Sequence, residues 1–252
     1  MSGQVFVNGV EGAGLPGDDP GFTRGLNVFD TLRSYGGNPF RLEPHLDRLE
    51  LSAAALEIPC PSRDVLRAEI LSMSVGDRCL RVALTAGGNR VLAWTPIDPA
   101  VVGAPVSVAS VVSHPNPYLP GHVKHGSRAG WVLAARHLGV TEVVFVDPAG
   151  NILEANRSNV FAVVDGVVRT PPLGANLQGV TRGAILEAAL EADLPVSEAP
   201  VPLGTRFDEL YLSSTLKELA PVAKLDDREV GGGPVGERLH AAFRALVARE
   251  CS

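Results

Sequence analysis

Residues 122–130, HVKHGSRAG, hold one of only three lysines in the chain; the others are Lys217 and Lys224, against nineteen arginines. Arginine keeps its proton in a protein, whereas a lysine amine held away from water gives it up and can condense with an aldehyde as a Schiff base. Lys124 follows a proline-rich loop and has His122 and His125 beside it. The competing reading of that setting alone is a solvated surface amine.

Three further stretches could do chemistry. In NILEANRSNVF, Glu154 falls between two predicted strands, where its side chain could enter a cleft. A carboxylate there needs a cationic partner, such as a protonated pyridine nitrogen; a solvated turn carboxylate is the alternative. In GVTRGAILEAAL, Gly179 precedes Val180 and Thr181 at a predicted helix start. Free N–H groups and the positive end of the helix dipole make that an anion site, unless Thr181 simply caps the helix. The hydroxyls of Ser213, Ser214 and Thr215 could donate to the same anion or line a polar loop. Arg48, in HLDRLELS, suits a phosphate, although it could equally pair with a carboxylate or face water.

The elements that must position these groups are legible from periodicity and turn residues. Strands are expected at residues 5–7, 28–35, 81–85 and 91–94, with turns at Asn8-Gly9, Gly36-Gly37-Asn38 and Ala86-Gly87-Gly88-Asn89, and a loop over 10–21. Leu46, Leu49, Ala53 and Leu56 recur at helical spacing after Pro44, and a second helix is predicted from Ser62 to Met73. Pro96, Pro99 and Pro105 mark a composition break, which divides the chain into a small N-terminal domain, 1–98, and a larger domain, 99–252, carrying Lys124. Beyond it, strands are expected at 106–112, 143–147, 159–164, 167–170 and 209–213. Helices are expected from Ser127 to Gly139, Thr181 to Ala192 and Gly236 to Arg249. Helices and strands are mixed and neighbouring strands are joined by tight turns, which argues for an α+β fold with antiparallel pairs.

Composition narrows the function classes. A net charge of -6 and the lack of a basic patch with interleaved aromatics argue against nucleic-acid binding. No apolar run approaches eighteen residues, so no membrane span is expected, and the first residues carry no signal-peptide pattern. Cys60, Cys79 and Cys251 are odd in number and lack metal-ligand spacing, which implies reduced thiols in a cytoplasmic protein and no metal. Neither GxGxxG nor GxxxxGK[ST] occurs.

Taken in order, NPFRLEPHLDRLELSA, Lys124, VVFVDPAGNILEANRSNVF, LQGVTRG and LYLSSTLKELAPV resemble the fold type IV pyridoxal-phosphate enzymes. This class IV aminotransferase family includes branched-chain and D-amino acid aminotransferases, (R)-amine transaminases and aminodeoxychorismate lyase. The resemblance runs from about Gly21 to the C-terminal helix. It implies a two-domain architecture with pyridoxal 5′-phosphate between the domains, a homodimer, and transfer of an amino group between an amino acid or amine and a 2-oxo acid. It also implies that Lys124 holds the cofactor as a Schiff base and that Glu154 pairs with its ring nitrogen. Arg48, Val180, Thr181, Ser214 and Thr215 would then bind its phosphate, Leu177 would lie against the ring, and Asn159 would support the site.

Departures from the family pattern bear on the substrate. Many relatives read YGDGVFE where this chain reads RGLNVFD, so that Arg24 stands at the usual tyrosine and could bind a substrate carboxylate from a neighbouring subunit, or simply lie on the surface. Arg90 falls near a carboxylate-binding arginine of D-amino acid aminotransferases, shifted by one residue. KHGSR lacks the Asn-Tyr pair of branched-chain enzymes, and its His125 and Arg128 lean toward the KHLNR of the lyases. Aminotransferase is the favoured reading and lyase the alternative. A binding protein that has lost catalysis is the remote one.

Overall fold

The computed structural model describes residues 3–252. The chain forms two compact units. One comprises the chain up to Asp98 together with His122–Arg128 and Arg249–Ser252; the other comprises Pro99–Gly121 and Ala129–Ala248.

The first unit contains β1 (Gln4–Val7), β2 (Val10–Glu11), α1 (Pro20–Thr23), β3 (Asn27–Tyr35), β4 (Asn38–Pro39), α2 (Leu42–Ala55), α3 (Arg63–Met73), β5 (Arg78–Thr85) and β6 (Arg90–Pro96). Its six strands form an antiparallel sheet in the order β2-β1-β6-β5-β3-β4. Side chains alternate across a strand, so Val28, Asp30 and Leu32 of β3 share a face with their register partners Leu84, Val82 and Leu80. That face packs with Leu46, Leu49 and Ala53 of α2 and Leu66 and Ile70 of α3. Each fully buried leucine or isoleucine contributes about 1.5–3 kcal/mol. Helix α2 begins two residues before Pro44, which therefore sits in the first turn, where its missing N–H leaves no bond unmade.

Lys124 belongs to this first unit rather than to the C-terminal part expected from the composition break. The reason is local. Val28 and His125 form an antiparallel bridge, Phe29 N donates to Lys124 O at 3.0 Å, and Gly126 N donates to Asn27 O at 2.9 Å. Val123 is buried in the same core as Val28 and Leu46.

The second unit contains β7 (Val106–Val112), α4 (Ala129–His137), β8 (Glu142–Val146), β9 (Asn151–Ala155), β10 (Asn159–Val164), β11 (Val167–Thr170), α5 (Val180–Glu191), β12 (Val196–Glu198), β13 (Val201–Pro202), β14 (Glu209–Ser214), β15 (Glu218–Leu225), β16 (Arg228–Glu229) and α6 (Pro234–Glu250). Its sheet runs β12-β11-β10-β14-β15-β7-β8-β9-β13, with β16 beside β15. The pairs β11–β12, β15–β7 and β7–β8 are parallel and the others antiparallel, so the α+β class read from the tight turns holds. Glu154, expected between strands, lies within β9. The polar Asn151 and Glu154 break the apolar alternation that would have marked NILEA as a strand.

The loop that enters β3 in the first unit is held by Asp19, which is only 3% exposed. Its carboxylate accepts from Gly21 N at 2.6 Å, Thr85 Oγ1 at 2.7 Å and Asn89 Nδ2 at 2.6 Å. Burial pushes this carboxyl up, but the bonds from Asn89, Thr85 and Gly21 outweigh it and hold the group below its ordinary range. Asp19→Ala leaves those donors unmatched and is expected to cost about 2–4 kcal/mol, read as a lower midpoint in urea unfolding. An unchanged midpoint would show that the carboxylate does not hold the loop.

Candidate active site

In the first unit, α2 and β3 converge on a buried polar cluster. Asp30 on β3 is 1% exposed. Its Oδ2 accepts from Arg48 Nε at 2.8 Å and its Oδ1 from Arg48 Nη2 at 2.7 Å, while His45 Nδ1 lies 2.8 Å from Oδ1. His45 and Arg48 are three residues apart on α2 and so present the same face to β3. Burial pushes the Asp30 carboxyl up, and the Arg48 and His45 charges and bonds overcome it, leaving the group well below the carboxylate range. Burial holds the His45 ring below its ordinary value; Asp30 opposes this, and Arg48 and Lys124 add to it.

Lys124 is placed beside this cluster by its backbone. Its N–H donates to Ser52 Oγ on α2 at 3.1 Å, and its carbonyl accepts from Phe29. Its Nζ stands 5.2 Å from the centre of the Phe29 ring. The guanidinium carbon of Arg81 lies 3.7 Å from the same ring centre and that of Arg128 lies 5.0 Å away. Three cations therefore surround one aromatic ring, an arrangement suited to carboxylate-bearing molecules. The other two lysines serve elsewhere. Lys217 pairs with the fully buried Glu142, and Lys224 lies near Asp227 at 3.8 Å.

The sequence marked Lys124, Arg48 and Arg128, and the structure brings all three into this unit. It gave no sign of Asp30 or Arg81, because an acidic or basic residue inside a strand carries no motif of its own. Register was the missing signal: it sets Asp30 toward α2 and Arg81 toward Phe29. Arg90, expected among the carboxylate-binding residues, pairs with a carboxylate of this chain: its Nε and Nη2 close on Glu69 of α3 at 2.7–2.9 Å. Arg24 is exposed at the end of α1.

In the second unit, Glu154, Leu177 and the start of α5 are linked. Leu177 N donates to Glu154 Oε2 at 3.0 Å, and Asn159 Nδ2 donates to Leu177 O at 2.9 Å. Asn159 lies opposite Ser213 in the β10–β14 register. A Cβ on Gly179 would run into Asn159 Oδ1, so only glycine allows this close approach. Gly179 is the N-cap of α5, with no side chain capping the helix; Thr181, the expected alternative cap, lies inside the first turn. The Ser213 hydroxyl is buried without a hydrogen-bond partner. Ser214 Oγ accepts from Lys217 N at 3.3 Å, and Thr215 follows in the β14–β15 turn. The first unit offers an amine and an arginine, and the second a carboxylate and an uncapped helix start; these group types suit a phosphorylated aldehyde with a basic ring nitrogen. Among the described residues, no group of three or more His, Cys, Asp or Glu could hold a metal, and no helix is long and apolar enough to cross a membrane.

Residues 27–225 match the family model described as amino-transferase class IV. The branched-chain-amino-acid aminotransferase of Escherichia coli is 30% identical over 265 residues, which cover 90% of this chain and 85% of that protein. A fold IV transaminase from Curtobacterium pusillum superposes with a TM-score of 0.86 at 27% identity, covering 96% of this chain and 98% of that one. The structure of the Escherichia coli branched-chain enzyme superposes with a TM-score of 0.87 at 25% identity, covering 100% and 97%.

His125, next to Lys124, sets a pH response. Burial, and then the Arg128 charge, push its ring from 6.5 down to about 4. Between those values the unfolded chain binds a proton that the folded one refuses, so stability falls as pH drops through this window and is unaffected above it. The expected loss from pH 7 to pH 4 is on the order of 1–3 kcal/mol from this ring alone. His125→Gln should flatten the urea-unfolding profile across the window by that amount; an identical slope in the variant would remove His125 as the cause.

Proposed function

We infer the roles of these residues from one premise: the chain belongs to the class IV aminotransferase family. It is a transferase that moves an amino group between an amino acid or amine and a 2-oxo acid. Pyridoxal 5′-phosphate, when bound, supplies an aldehyde that condenses with amines and a ring that withdraws electrons from the substrate carbon.

The placement of Lys124 carries the reading. Its Nζ would hold the cofactor's aldehyde and, once freed by the substrate amine, would carry the proton between the substrate carbon and the cofactor. A positioned base of this kind contributes roughly 10²–10⁴-fold. The Glu154 carboxylate, held by the N–H of Leu177, would pair with the ring nitrogen. The phosphate would be held by the N–H groups of Val180 and Thr181, the hydroxyls of Thr181, Ser214 and Thr215, and Arg48. The Leu177 side chain would lie against the ring. Arg81 and Arg128 receive the substrate carboxylate, and Arg24 adds a cation from the other subunit of a homodimer. The three free cysteines fit a reducing compartment, and we place the enzyme in the cytoplasm. The names of the relatives make branched-chain amino acids the first donors to examine.

The deciding experiment is a half-reaction. The cofactor-loaded protein is mixed with single donors: L- and D-glutamate, L- and D-alanine, branched-chain amino acids and (R)-phenylethylamine. One donor is expected to discharge the bound-aldehyde absorbance within a turnover. No conversion, with pyruvate released from aminodeoxychorismate, would assign a lyase instead. Lys124→Ala should lose the bound-aldehyde colour and Lys224→Ala should keep it; colour surviving the first change would displace Lys124 from its role. Glu154→Gln should retain cofactor and slow the half-reaction by about 10²-fold or more, and an unchanged rate would take Glu154 out of the mechanism.

A further inference from the structure

We propose that Asp30 is a positioning residue: it fixes the plane and reach of the Arg48 guanidinium and so sets how strongly the site prefers a phosphorylated ligand. The inference rests on the reading that Arg48 contributes to phosphate binding.

The geometry is that of a fork. One edge of the guanidinium, Nε and Nη2, meets both oxygens of one carboxylate. An arginine side chain has many rotamers, and a two-point contact selects among them in a way that a single contact does not. The carboxylate is itself immobile. It projects from the centre of β3, between Val28 and Leu32 on the same face, and its Oδ1 is also held by His45. A charge so enclosed by Val28, Leu32, Leu46 and Leu49 is costly unless paired. The mechanism inferred above has no other use for it: Asp30 is buried behind Arg48 on the core side of the sheet.

Charge and position make opposite predictions here. If Arg48 acted only as a positive charge, Asp30 would weaken phosphate binding by cancelling part of that charge, and its removal would tighten binding. If Asp30 positions Arg48, its removal loosens binding of the phosphate and of nothing else. Partners that orient a ligating side chain typically contribute about 10–100-fold in affinity at metal sites, and the lower end of that range is expected here.

The test compares two ligands on the full-length protein freed of cofactor: pyridoxal 5′-phosphate and pyridoxal, each titrated by absorbance and protein fluorescence. The ratio of the two affinities is the phosphate preference, and general damage to the fold moves both affinities together. Asp30→Asn is expected to lower the preference about tenfold with pyridoxal affinity nearly unchanged, and Asp30→Glu, which keeps a carboxylate able to fork, should restore most of it. An unchanged or increased preference in Asp30→Asn, or equal losses for both ligands, would overturn the proposal. Arg48→Lys provides a second route should Asp30→Asn not fold. It keeps the charge but cannot donate the two-point fork, and it should lose the preference about as fully as Arg48→Ala; retention by Arg48→Lys alone overturns the positioning role. No loss in Arg48→Ala would instead remove Arg48 from the phosphate site, a different failure from that of Asp30.

Discussion

The antiparallel bridge between Val28 and His125 is the constraint on which the first unit's chemistry depends. It joins β3, early in the chain, to a segment nearly a hundred residues later, and strand alternation then decides the rest. Val28 and His125 face inward and are buried. Their neighbours Phe29 and Lys124 share the opposite side, where the amine meets the ring and the guanidinium groups of Arg81 and Arg128. Val123, one step back, enters the core and anchors the segment. A slip of one residue in this short pairing would bury the amine and expose the histidine, so register here is a chemical requirement as well as a packing one.

Two departures from the family pattern are halves of one packing arrangement. Asn27 lies in RGLNVFD and Gly126 in KHGSR, the two stretches that depart from the pattern the sequence otherwise resembles. Gly126 N donates to Asn27 O, and a Cβ at 126 would run into the Asn27 side chain, whose Nδ2 is bonded to Gly21 O at 3.0 Å. Ser127 Oγ likewise donates to Gly25 O at 2.9 Å, where Gly25 has a φ of 66° that favours glycine. The entry loop and the lysine segment are sterically coupled, and reading either alone as a substrate signature overlooks its steric partner.

Legibility in the sequence followed the kind of signal each residue sends. Helix α2, strand β3 and the α5 start were readable because their periodicity and turn residues agree. Lys124 stood out by rarity, and Glu154 and Val180-Thr181 through their flanks. Strands β9 and β15 were hidden, the first by Asn151 and Glu154 and the second by Pro221, which breaks the pattern although it sits in the β14–β15 ladder. Asp30 and Arg81 were illegible for a different reason. Their roles exist only once β3 is paired with β5 and packed against α2, which no local window contains. Arg90 shows the converse: a suggestive position in sequence proved to be one side of an ion pair with Glu69.

The scarcity of lysine follows from what each cation is asked to do. Arg48 in its fork with Asp30, Arg90 on Glu69, and Arg81 and Arg128 around Phe29 all have tasks that require a charge that never leaves and a plane that can be oriented. Guanidinium meets both demands. Carrying a proton to and from a substrate carbon demands the opposite: a group that is sometimes neutral and whose lone pair can attack. Lysine alone among the cationic side chains combines that with an amine able to form a carbon–nitrogen double bond. Of the three lysines, Lys217 pairs with the buried Glu142 and Lys224 lies exposed near Asp227, so the amine whose backbone is anchored between β3 and α2 is the one whose surroundings serve reactivity.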